Sequence, residues 1–380
     1  MQPSVALVHD YLLVMRGAER TFAAIGECWP GAPIFTLLYD ESVTSGAFAG
    51  HSLHASKLQR LPVTQSNFRL LLPLFARAAE RLAVDEYDLV VSSTSAFAHG
   101  VRTRPEATHV AYCYTPLRYA WHEREFGLAE APWPLRPVLG RTLARVRDWD
   151  LAAAQRVTHY ITISELSRQR IQDYYGRDAA VVHPPVEVDR FSIGEPEDFF
   201  LVVSELVAHK RVENALAAAR RTGQRIMVVG GGPDLKRLRR EYGDRATFLG
   251  RLSDPELADL SRRALALVVP NVEEFGIAAV EAQASGRPVL AADAGGARET
   301  VVQGETGILV PPEDLDALAE AMVETDWSSF DPLAVRRNAE RFSSEAFKAR
   351  FSATVAELAG VELTGTAGSV EPEPEGEPRP

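Results

Sequence analysis

The sequence has few cysteines, no long uninterrupted apolar run and no internal repeat. Its 380 residues contain two cysteines, Cys28 and Cys113, in separate apolar contexts without metal-ligand spacing. We therefore expect buried free thiols, as in a reducing compartment, rather than a disulfide. No stretch of about 18 residues is apolar and uncharged, so we expect no membrane-spanning helix. Without a repeat of about 20 to 50 residues, a solenoid or a propeller is not expected either.

The sequence also lacks a basic excess and a recognisable targeting signal. Its formal net charge is -11, which argues against general nucleic-acid binding because a phosphate backbone repels acidic surfaces. The first residues show no basic segment followed by a small-residue cleavage site, and the apolar run 5–8 is typical of a first strand. We expect a cytoplasmic protein that does not bind nucleic acid.

What the sequence does contain is a regular alternation of short apolar runs and longer amphipathic segments. This alternation is typical of β-α-β units with a parallel sheet. The predicted strands are 5–8, 34–38, 89–92, 109–113, 159–163 and 179–182 in the first half, and 199–203, 225–229, 246–249, 266–269, 288–292 and 307–310 in the second. Helices are predicted between them, among them 211–221, 233–241 and 276–284. The chain is too long for one ordinary core, so the pattern predicts an α/β protein with two Rossmann-like parallel-sheet domains facing a cleft.

A proline-containing segment, 183–191, interrupts both patterns and predicts the hinge between the domains. Consecutive prolines fix φ and withhold the amide donors that a sheet needs. The predicted divisions are an N-terminal domain 1–185, a hinge 186–196, a C-terminal domain 197–342, a helix 343–360 expected to pack back on the N-terminal domain, and a disordered acidic tail 361–380 rich in proline. Ligands of parallel sheets bind beyond the carboxyl ends of the strands, so we expect the site in the cleft.

Two arginine-rich stretches of the first half have two interpretations. The basic residues of 57–82 are Lys57, Arg60, Arg69, Arg77 and Arg81, set among leucines and phenylalanines, with Glu80 as the one acid. They indicate either a membrane-surface helix or a domain helix with one buried face and a solvated arginine-rich face, and the second is somewhat favoured. Segment 136–147, which holds four more arginines, fits either interpretation. The first would place the protein at the inner face of the cell membrane, in peripheral contact with it.

Segment 270–290 carries the clearest chemical pattern. An apolar strand ends in a polar turn, and a helix is predicted to start near Gly276. The free amides of Gly276, Ile277 and the next residue would suit a diphosphate, because a helix start attracts anions. Glu273 lies beside that start and Glu281 further along the helix, and each carboxylate can accept hydrogen bonds from adjacent sugar hydroxyls. The segment therefore predicts a site for an activated sugar.

The same segment resembles the Glu-x7-Glu signature of glycosyltransferase family 4, a retaining family with the GT-B fold. The resemblance extends to about Gly360. It implies that Glu273 contacts the donor sugar and Glu281 the ribose, and that Lys210, in the loop after strand 199–203, reaches the donor phosphates. A lysine and a helix start together can neutralise a leaving diphosphate without a metal. The implied catalytic residues are Glu273 and Lys210, with a nucleotide-sugar donor as co-substrate and no cofactor.

Other matching segments supply the remaining candidates. A glycine loop after strand 225–229 and a loop after 246–249 resemble the family's ligand loop and base-binding loop, where backbone groups would read the nucleotide base. Segments after the first strand, at the start of the first helix, at 92–100 and at 112–119 resemble cleft segments of a subgroup. The implied substrate-binding residues are Asp10, Arg16, Gly17, His99, Tyr114, Arg118, Glu205, Arg211, Gly231, Gly232, Arg251, Leu252, Phe275, Gly276, Ile277 and Glu281.

The sequence departs from the family pattern in the cleft. Arg16 replaces a glycine, and Ser95 and Tyr114 stand where related sequences carry histidine. Glu205 replaces an arginine usually paired with the lysine, and an acid there would repel a diphosphate. These departures leave the donor and the acceptor open. His99 is a candidate to supply an imidazole from a shifted position, although an ordinary packing residue is favoured.

The resemblance implies a retaining glycosyltransferase that moves a hexose-type sugar from a nucleotide diphosphate to a hydroxyl of a small-molecule, glycan or lipid-linked acceptor. Two alternatives stay open: a nucleotide-sugar epimerase of the same architecture, and a catalytically silent homologue that binds a nucleotide or a partner enzyme. The Asp-x-Asp pairs 148–150 and 314–316 fit the pattern of metal-dependent glycosyltransferases. Both lie in predicted helices rather than at strand ends, so no metal site is predicted.

Overall fold

The computed structural model describes residues 3–44, 46–63 and 67–361. Within them the chain forms two parallel sheets flanked by helices, which confirms the predicted α/β class with two Rossmann-like domains. The tail predicted for 361–380 lies outside the described residues apart from Val361. Residues 64–66 of the arginine-rich stretch also lie outside them.

The first sheet has seven strands in the order β3-β2-β1-β4-β5-β6-β7, all parallel. In chain order they are β1 (Val5–Leu12), β2 (Ile34–Tyr39), β3 (Leu53–Ala55), β4 (Leu89–Thr94), β5 (Thr108–Cys113), β6 (His159–Thr162) and β7 (Ala179–Val181). Strand β4 is buried along its whole length, as expected for a central parallel strand covered on both faces. The strand order reverses between β1 and β4, so a crevice opens at the carboxyl ends of these two strands.

Six α-helices belong to the described part of this half: α1 (Gly17–Cys28), α2 (Glu41–Thr44), α3 (Leu72–Ala79), α4 (Arg124–Glu130), α5 (Arg136–Ala154) and α6 (Glu165–Tyr175). Helices α3 and α5 cover the same face of the sheet, because Phe75 and Ala79 of α3 share a hydrophobic cluster with Val146 of α5. Helix α1 opens next to the crevice, directly after β1. The first helix therefore directs its N-terminus at the cleft.

The second sheet has six parallel strands in the order β10-β9-β8-β11-β12-β13. They are β8 (Phe200–Val203), β9 (Ile226–Val229), β10 (Ala246–Gly250), β11 (Ala266–Val269), β12 (Val289–Ala292) and β13 (Gly307–Val310). The helices of this half are α7 (Val212–Thr222), α8 (Leu235–Tyr242), α9 (Asp254–Arg263), α10 (Ile277–Ala284), α11 (Ala297–Thr300), α12 (Leu315–Glu324) and α13 (Pro332–Glu340). The order reverses between β8 and β11, so α10, which follows β11, begins at this second crevice.

The chain passes between the two halves twice at one place. The amide of Val186, on the outward passage, donates to the carbonyl of Phe342, on the return passage, at 2.8 Å. Helix α14 (Ser344–Ala359) then lies against the first half. There Phe351 packs edge-on against Trp29 and Tyr112, with ring centroids 6.0 and 5.4 Å apart. The C-terminal helix thus completes the core of the N-terminal half.

All the predicted strands are present, and the predicted helices 211–221, 233–241 and 276–284 correspond to α7, α8 and α10. Strand β3 was not predicted. Both cysteines are free thiols, Cys113 buried and Cys28 half-buried. Among the described residues, none of the helices combines the length and the apolarity that crossing a membrane requires.

Candidate active site

Two adjoining cavities lie in the cleft between the sheets. The smaller, of about 520 Å³, includes Lys210 and Glu273 in its lining, and the larger, of about 830 Å³, includes Glu281. Gly17 at the start of α1 and Ile277 at the start of α10 line both. A Cβ on Gly17 would lie 3.0 Å from Cδ1 of Ile277, so the lack of a side chain at Gly17 lets the two helix starts approach closely. The cavities meet where these helices face each other.

The start of α10 forms the junction of the two cavities. Strand β11 ends at Val269, and the chain turns through Gly276, which has φ +91° and stands immediately before the helix. Glycine adopts this left-handed backbone without the steric cost that a side chain brings. The first amides of a helix have no partner within it and carry a partial positive charge. The junction is therefore an electropositive corner suited to an anionic group.

Lys210 and Glu273 form a contact in the smaller cavity. Nζ of Lys210 lies 2.6 Å from Oε2 of Glu273, and each side chain is 21% exposed. Asn271 donates from Nδ2 to the other carboxylate oxygen of Glu273 at 3.1 Å. The structure thus brings the two predicted catalytic residues together and holds the carboxylate in one orientation, because both of its oxygens accept a hydrogen bond.

Glu281 lies on α10 in the larger cavity, together with Gly231, Arg251 and Leu252. Burial raises the pKa of Glu281 to about 7, although nearby arginines oppose the shift. Its carboxyl group therefore exists in both protonation states near neutral pH. Gly231 brings backbone rather than a side chain to the cavity wall.

A ring of two arginines and two carboxylates borders the larger cavity. Arg20 of α1 contacts Glu187 at 2.7 Å and Asp254 at 2.8 Å. Arg190 contacts the same two carboxylates at 2.5 and 2.9 Å. The arginine–carboxylate ring, formed by Arg20, Glu187, Arg190 and Asp254, joins the first helix, the hinge segment and the start of α9. It links the two domains across the cleft.

On the N-terminal side, Tyr114 and Arg118 line the smaller cavity. The hydroxyl of Tyr114 donates to the carbonyl of Ala18 at 2.8 Å, so the tyrosine is fixed against α1. The guanidinium of Arg118 is 42% exposed and lies 3.8 Å from Glu123. This long contact leaves the guanidinium accessible from the cavity.

Another ion pair crosses the cleft at the smaller cavity, which Glu274 lines. Arg170 of α6 donates to Glu274 at 2.9 Å. Burial raises the pKa of Glu274, but Arg118 and Arg170 outweigh it and bring that pKa below its usual value. Glu274 is therefore ionised at neutral pH and anchors the turn that carries Glu273.

Most of the predicted site residues border one of the two cavities. Those that do are Arg16, Gly17, Tyr114, Arg118, Glu205, Lys210, Gly231, Arg251, Leu252, Glu273, Phe275, Gly276, Ile277 and Glu281. Glu205 is exposed and borders both cavities. The acid that replaces the family's arginine therefore lies near the electropositive corner.

Two residues predicted at the cleft from the first half are buried within it instead. The carboxylate of Asp10 accepts hydrogen bonds from the amides of Ser95, Phe97 and Ala98 at 2.7, 2.7 and 2.6 Å. It therefore orders the loop after β4 rather than meeting a ligand. His99 is buried, with Nε2 3.1 Å from Oδ1 of Asp150. The placement of His99 among the substrate-binding candidates is corrected, because the loop turns its ring into the domain, where it occupies the position of a packing residue.

Two residues predicted from the second half also lie away from the cavities. Arg211, with φ +50°, directs its guanidinium to Glu313 at 3.0 Å. Gly232 packs against the loop after β8, where a Cβ would overlap the carbonyl of Leu206. Arg211 thus forms a local ion pair, and Gly232 allows two loops to pack closely. Neither residue lines the smaller or the larger cavity.

The chain has clear relatives among proteins of known type. Residues 186–325 match the family model described as glycosyl transferases group 1. The D-inositol 3-phosphate glycosyltransferase of Mycobacterium avium is 34% identical, over 63% of this chain and 67% of its own length. This chain belongs to the glycosyl transferases group 1 family. The enzyme of the same description from Mycolicibacterium paratuberculosis is 34% identical over 63% of this chain, and the chain spans 64% of that relative's length.

Solved structures share the architecture of this group 1 chain over most of its length. Sucrose-phosphate synthase from Thermosynechococcus elongatus superposes with a TM-score of 0.70 at 18% identity, covering 93% of this chain and 99% of that one. Anabaena HepE in complex with UDP-glucose gives 0.68 at 19% identity, with coverage of 93% and 99%. The galactosyltransferase WaaB of the lipopolysaccharide outer core gives 0.65 at 17% identity, with coverage of 93% and 99%. These likenesses show the GT-B fold.

Several residues of the group 1 site were not predicted from the sequence. The arginine–carboxylate ring assembles from three distant segments, and no spacing within any one of them indicates it. Asn271 and Glu274 lie close to Glu273 in the sequence, and this proximity is the feature from which their place in the site could have been predicted. Arg170 lies on α6, and only the folded chain brings it to the cleft.

The two Asp-x-Asp pairs have structural roles in the described residues. Asp150 lies within α5 and accepts from Trp121 at 2.7 Å and from Tyr175 at 2.8 Å. Asp314 precedes α12 and caps it, accepting from the amide of Ala317 at 2.9 Å. Over the ranges 3–44, 46–63 and 67–361, no cluster of three or more histidine, cysteine or acidic side chains could hold a metal ion. Neither pair stands at the end of a strand beside the cavities.

Proposed function

We propose that this protein transfers a hexose-type sugar from a nucleotide diphosphate to an acceptor hydroxyl with retention of the anomeric configuration. The observation that carries the proposal is the contact between Lys210 and Glu273 at the electropositive corner, where two cavities of the interdomain cleft meet. One cavity is suited to a nucleoside and the other to a sugar. Family membership and the names of the relatives support the transfer of a glycosyl group.

The donor is proposed to span both cavities. In the larger one the ribose hydroxyls would bond the carboxylate of Glu281, with the base beside the backbone of Arg251 and Leu252. The diphosphate would lie at the start of α10 and the transferred sugar beside Glu273. An anion at a helix start is stabilised by the free amides and by the helix dipole.

Lys210 is proposed to act on the leaving group. As the glycosidic bond breaks, negative charge grows on the diphosphate, and the lysine with the amides of the helix start can neutralise it in place of a metal ion. When the donor binds, before this bond breaks, Glu273 would exchange the lysine for the hydroxyls of the sugar. The lysine–glutamate contact thus keeps both groups positioned before the donor arrives.

Retention is proposed to follow from attack on the face that the diphosphate leaves. The leaving phosphate oxygen would accept the proton of the acceptor hydroxyl, so no protein nucleophile is required. The acceptor would enter on the side of Tyr114 and Arg118. Because the relatives' name includes a phosphorylated cyclitol, such compounds belong in the first acceptor panel together with glycans and lipid-linked sugars.

The test is turnover of purified variants with a panel of nucleotide sugars. Glu273→Ala and Lys210→Ala should each lower turnover by at least about tenfold, since removing one stabilising group typically costs that much or more. Lys236→Ala, an exposed lysine of α8, is the matched control and should behave as wild type. Wild-type rates in both site variants would contradict the proposal.

The products distinguish the alternatives. Proton NMR of the product should show the donor's anomeric configuration kept in the new glycosidic bond. Appearance of an epimerised nucleotide sugar would assign the epimerase alternative instead. Nucleotide-sugar binding without any turnover would assign the silent homologue.

A further inference from the structure

The junction of the two cavities favours negative charge. Residues that border both cavities form it, among them Ile277 and Ala278 at the start of α10, where free amides attract anions. Arg16 and Arg251, which line the larger cavity, add positive charge. Such a site binds a ligand more tightly the more negative charge the ligand carries.

The proposed reaction increases the charge of the bound nucleotide. The diphosphate of a nucleotide sugar carries about two negative charges, because neither phosphate has a free second ionisation. When the bond between the sugar carbon and the terminal phosphate oxygen breaks, the sugar passes to the acceptor oxygen, and the acceptor proton passes to the phosphate and then to water. A free terminal phosphate ionises a second time near about pH 6, so the released nucleoside diphosphate carries about three charges. The junction by itself would therefore hold the product more tightly than the donor.

Glu205 lies at this junction. It follows β8 and, like the start of α10, borders both cavities. The amide before it, of Ser204, donates to the carbonyl of Val229 at 3.0 Å. The amide after it, of Leu206, donates to the carbonyl of Gly231 at 3.0 Å. The backbone that carries Glu205 is therefore held on both sides.

The carboxylate of Glu205 has no counter-ion within the described ranges. It forms no hydrogen bond or ion pair there, although the carbonyl of the same residue accepts from the hydroxyl of Ser204 at 3.1 Å. Glu281 differs because it is buried, which raises its pKa to about 7. The other acids of the two cavity walls are paired with arginine or lysine, namely Glu27, Glu187, Asp254, Glu273 and Glu274. An exposed carboxylate is ionised at neutral pH, so Glu205 adds an uncompensated negative charge beside the site for the diphosphate.

We propose that Glu205 distinguishes the donor from the product by charge. Its repulsion increases with the charge of the ligand, so it weakens binding of the nucleoside diphosphate more than binding of the nucleotide sugar. Glu205 thus offsets the preference of the junction for the product and favours exchange of product for donor. The inference rests on the proposed function and requires no contact between Glu205 and the ligand, because the repulsion acts through space.

Titration calorimetry at about pH 8, where the terminal phosphate is ionised, tests the charge effect on the full chain. The probe pairs are UDP with UDP-glucose, GDP with GDP-mannose, and ADP with ADP-glucose. Two unit charges a few ångströms apart in water change a binding constant about fivefold. In Glu205→Gln the diphosphate should bind more tightly, and the ratio of its dissociation constant to that of the nucleotide sugar should fall about threefold to tenfold. Glu205→Arg should lower this ratio further.

A control variant and added salt separate the charge effect from a contact. Glu320→Gln, an exposed acid of α12 outside the two cavities, should leave the ratio unchanged. In about 1 M salt the change in Glu205→Gln should shrink to less than about twofold, because the Debye length falls to about 3 Å.

Weaker binding of both ligands by Glu205→Gln would show that the carboxylate bonds the ligand and would overturn the inference. An unchanged ratio, or a change that persists at high salt, would overturn it as well. In each of these outcomes the wild-type chain still binds nucleotides. If wild type and all variants bind none of the probes, the proposed function fails together with the inference, which is a distinct result.

Discussion

At the scale of single residues, Glu281 combines two opposing requirements. Burial raises its pKa to about 7, above the value of about 4.3 expected in the unfolded chain. The folded protein therefore favours the neutral acid. The proposed ribose contact instead needs the carboxylate, which can accept from both hydroxyls. Stability and donor binding should respond to pH in opposite directions.

We expect wild-type affinity for a nucleotide sugar, whose diphosphate diester does not ionise near neutral pH, to rise with pH through about 7, as the carboxylate forms. Titration calorimetry on both sides of that value measures it. In Glu281→Gln the affinity should be lower and the rise should vanish. A variant that keeps the wild-type pH dependence would show that another group is responsible.

The same shift has a consequence for unfolding. An acid whose pKa is raised on folding costs stability as pH rises from about 4 through 7, because the unfolded chain releases the proton first. The melting temperature of Glu281→Gln should therefore exceed that of wild type by more at about pH 8 than at about pH 5. Glu320→Gln, an exposed glutamate of α12, is the control and should show no such trend.

The sequence predicted Lys210 and Glu273 individually but not their contact. Each stands in a recognisable local pattern, and 63 positions separate them, so only the folding of β8 beside β11 joins them. The misplacement of His99 has a similar origin. His99 stands in a loop beside polar positions of the cleft, and nothing in the sequence of that loop indicates that the ring lies next to Asp150 of α5. Local patterns identify the groups, and long-range packing decides where they point.

At the scale of elements, the loop after β9 fits closely against the loop after β8. Gly230 has φ +133°, and a Cβ there would overlap the carbonyl oxygen of Ser204. Glu205, which borders both cavities, follows directly. The glycine therefore fixes the position of a cavity wall as well as a turn.

Gly230→Ala should displace the Ser204 loop. We expect it to lower the free energy of unfolding by roughly 2 to 4 kcal/mol, since overlap and left-handed strain both contribute, and to weaken nucleotide binding. Gly223→Ala is the matched control: its φ is +73°, but a Cβ meets open space. It should cost only about 1 kcal/mol and leave nucleotide binding unchanged. Equal effects of the two changes in chemical denaturation would contradict this account.

Strands were predicted more completely than other elements because parallel strands buried on both faces are continuous apolar runs. Strand β3, Leu53–Ala55, was missed because it is a short edge strand with two of its three residues exposed. Its sequence carries neither an apolar run nor an alternation. Pairing with β2 defines it, and that pairing is not visible in the chain alone.

At the scale of the whole molecule, the arginine–carboxylate ring holds the domains together at the larger cavity. The side chains of Arg20 and Asp254 are 37% and 54% exposed, so each pair alone contributes little in water. The four alternating charges share partners and so form a network, and exposed ion pairs contribute more to stability in a network than singly. We infer that the ring favours the closed arrangement of the domains.

Asp254→Asn should loosen that closure. We expect the variant to have a larger radius of gyration in small-angle X-ray scattering, and this radius should no longer depend on salt concentration. The KM for the donor should rise about threefold to tenfold, because the closed state is less populated. Asp259→Asn is the control, since Asp259 bonds Arg262 and Arg263 within one domain and is similarly exposed, at 45%. A control that opens as much as Asp254→Asn would remove the ring from this role.

The double passage of the chain at Val186 and Phe342 restricts how the two halves can move. A single connection would permit twisting and sliding, but two strands bonded side by side resist both, because either motion would pull the amide of Val186 from its carbonyl at Phe342. Opening of the cleft by rotation of the domains about the line of the two connections leaves that bond intact. The two domains can therefore separate to admit ligands to the cavities and return to the same alignment on every cycle.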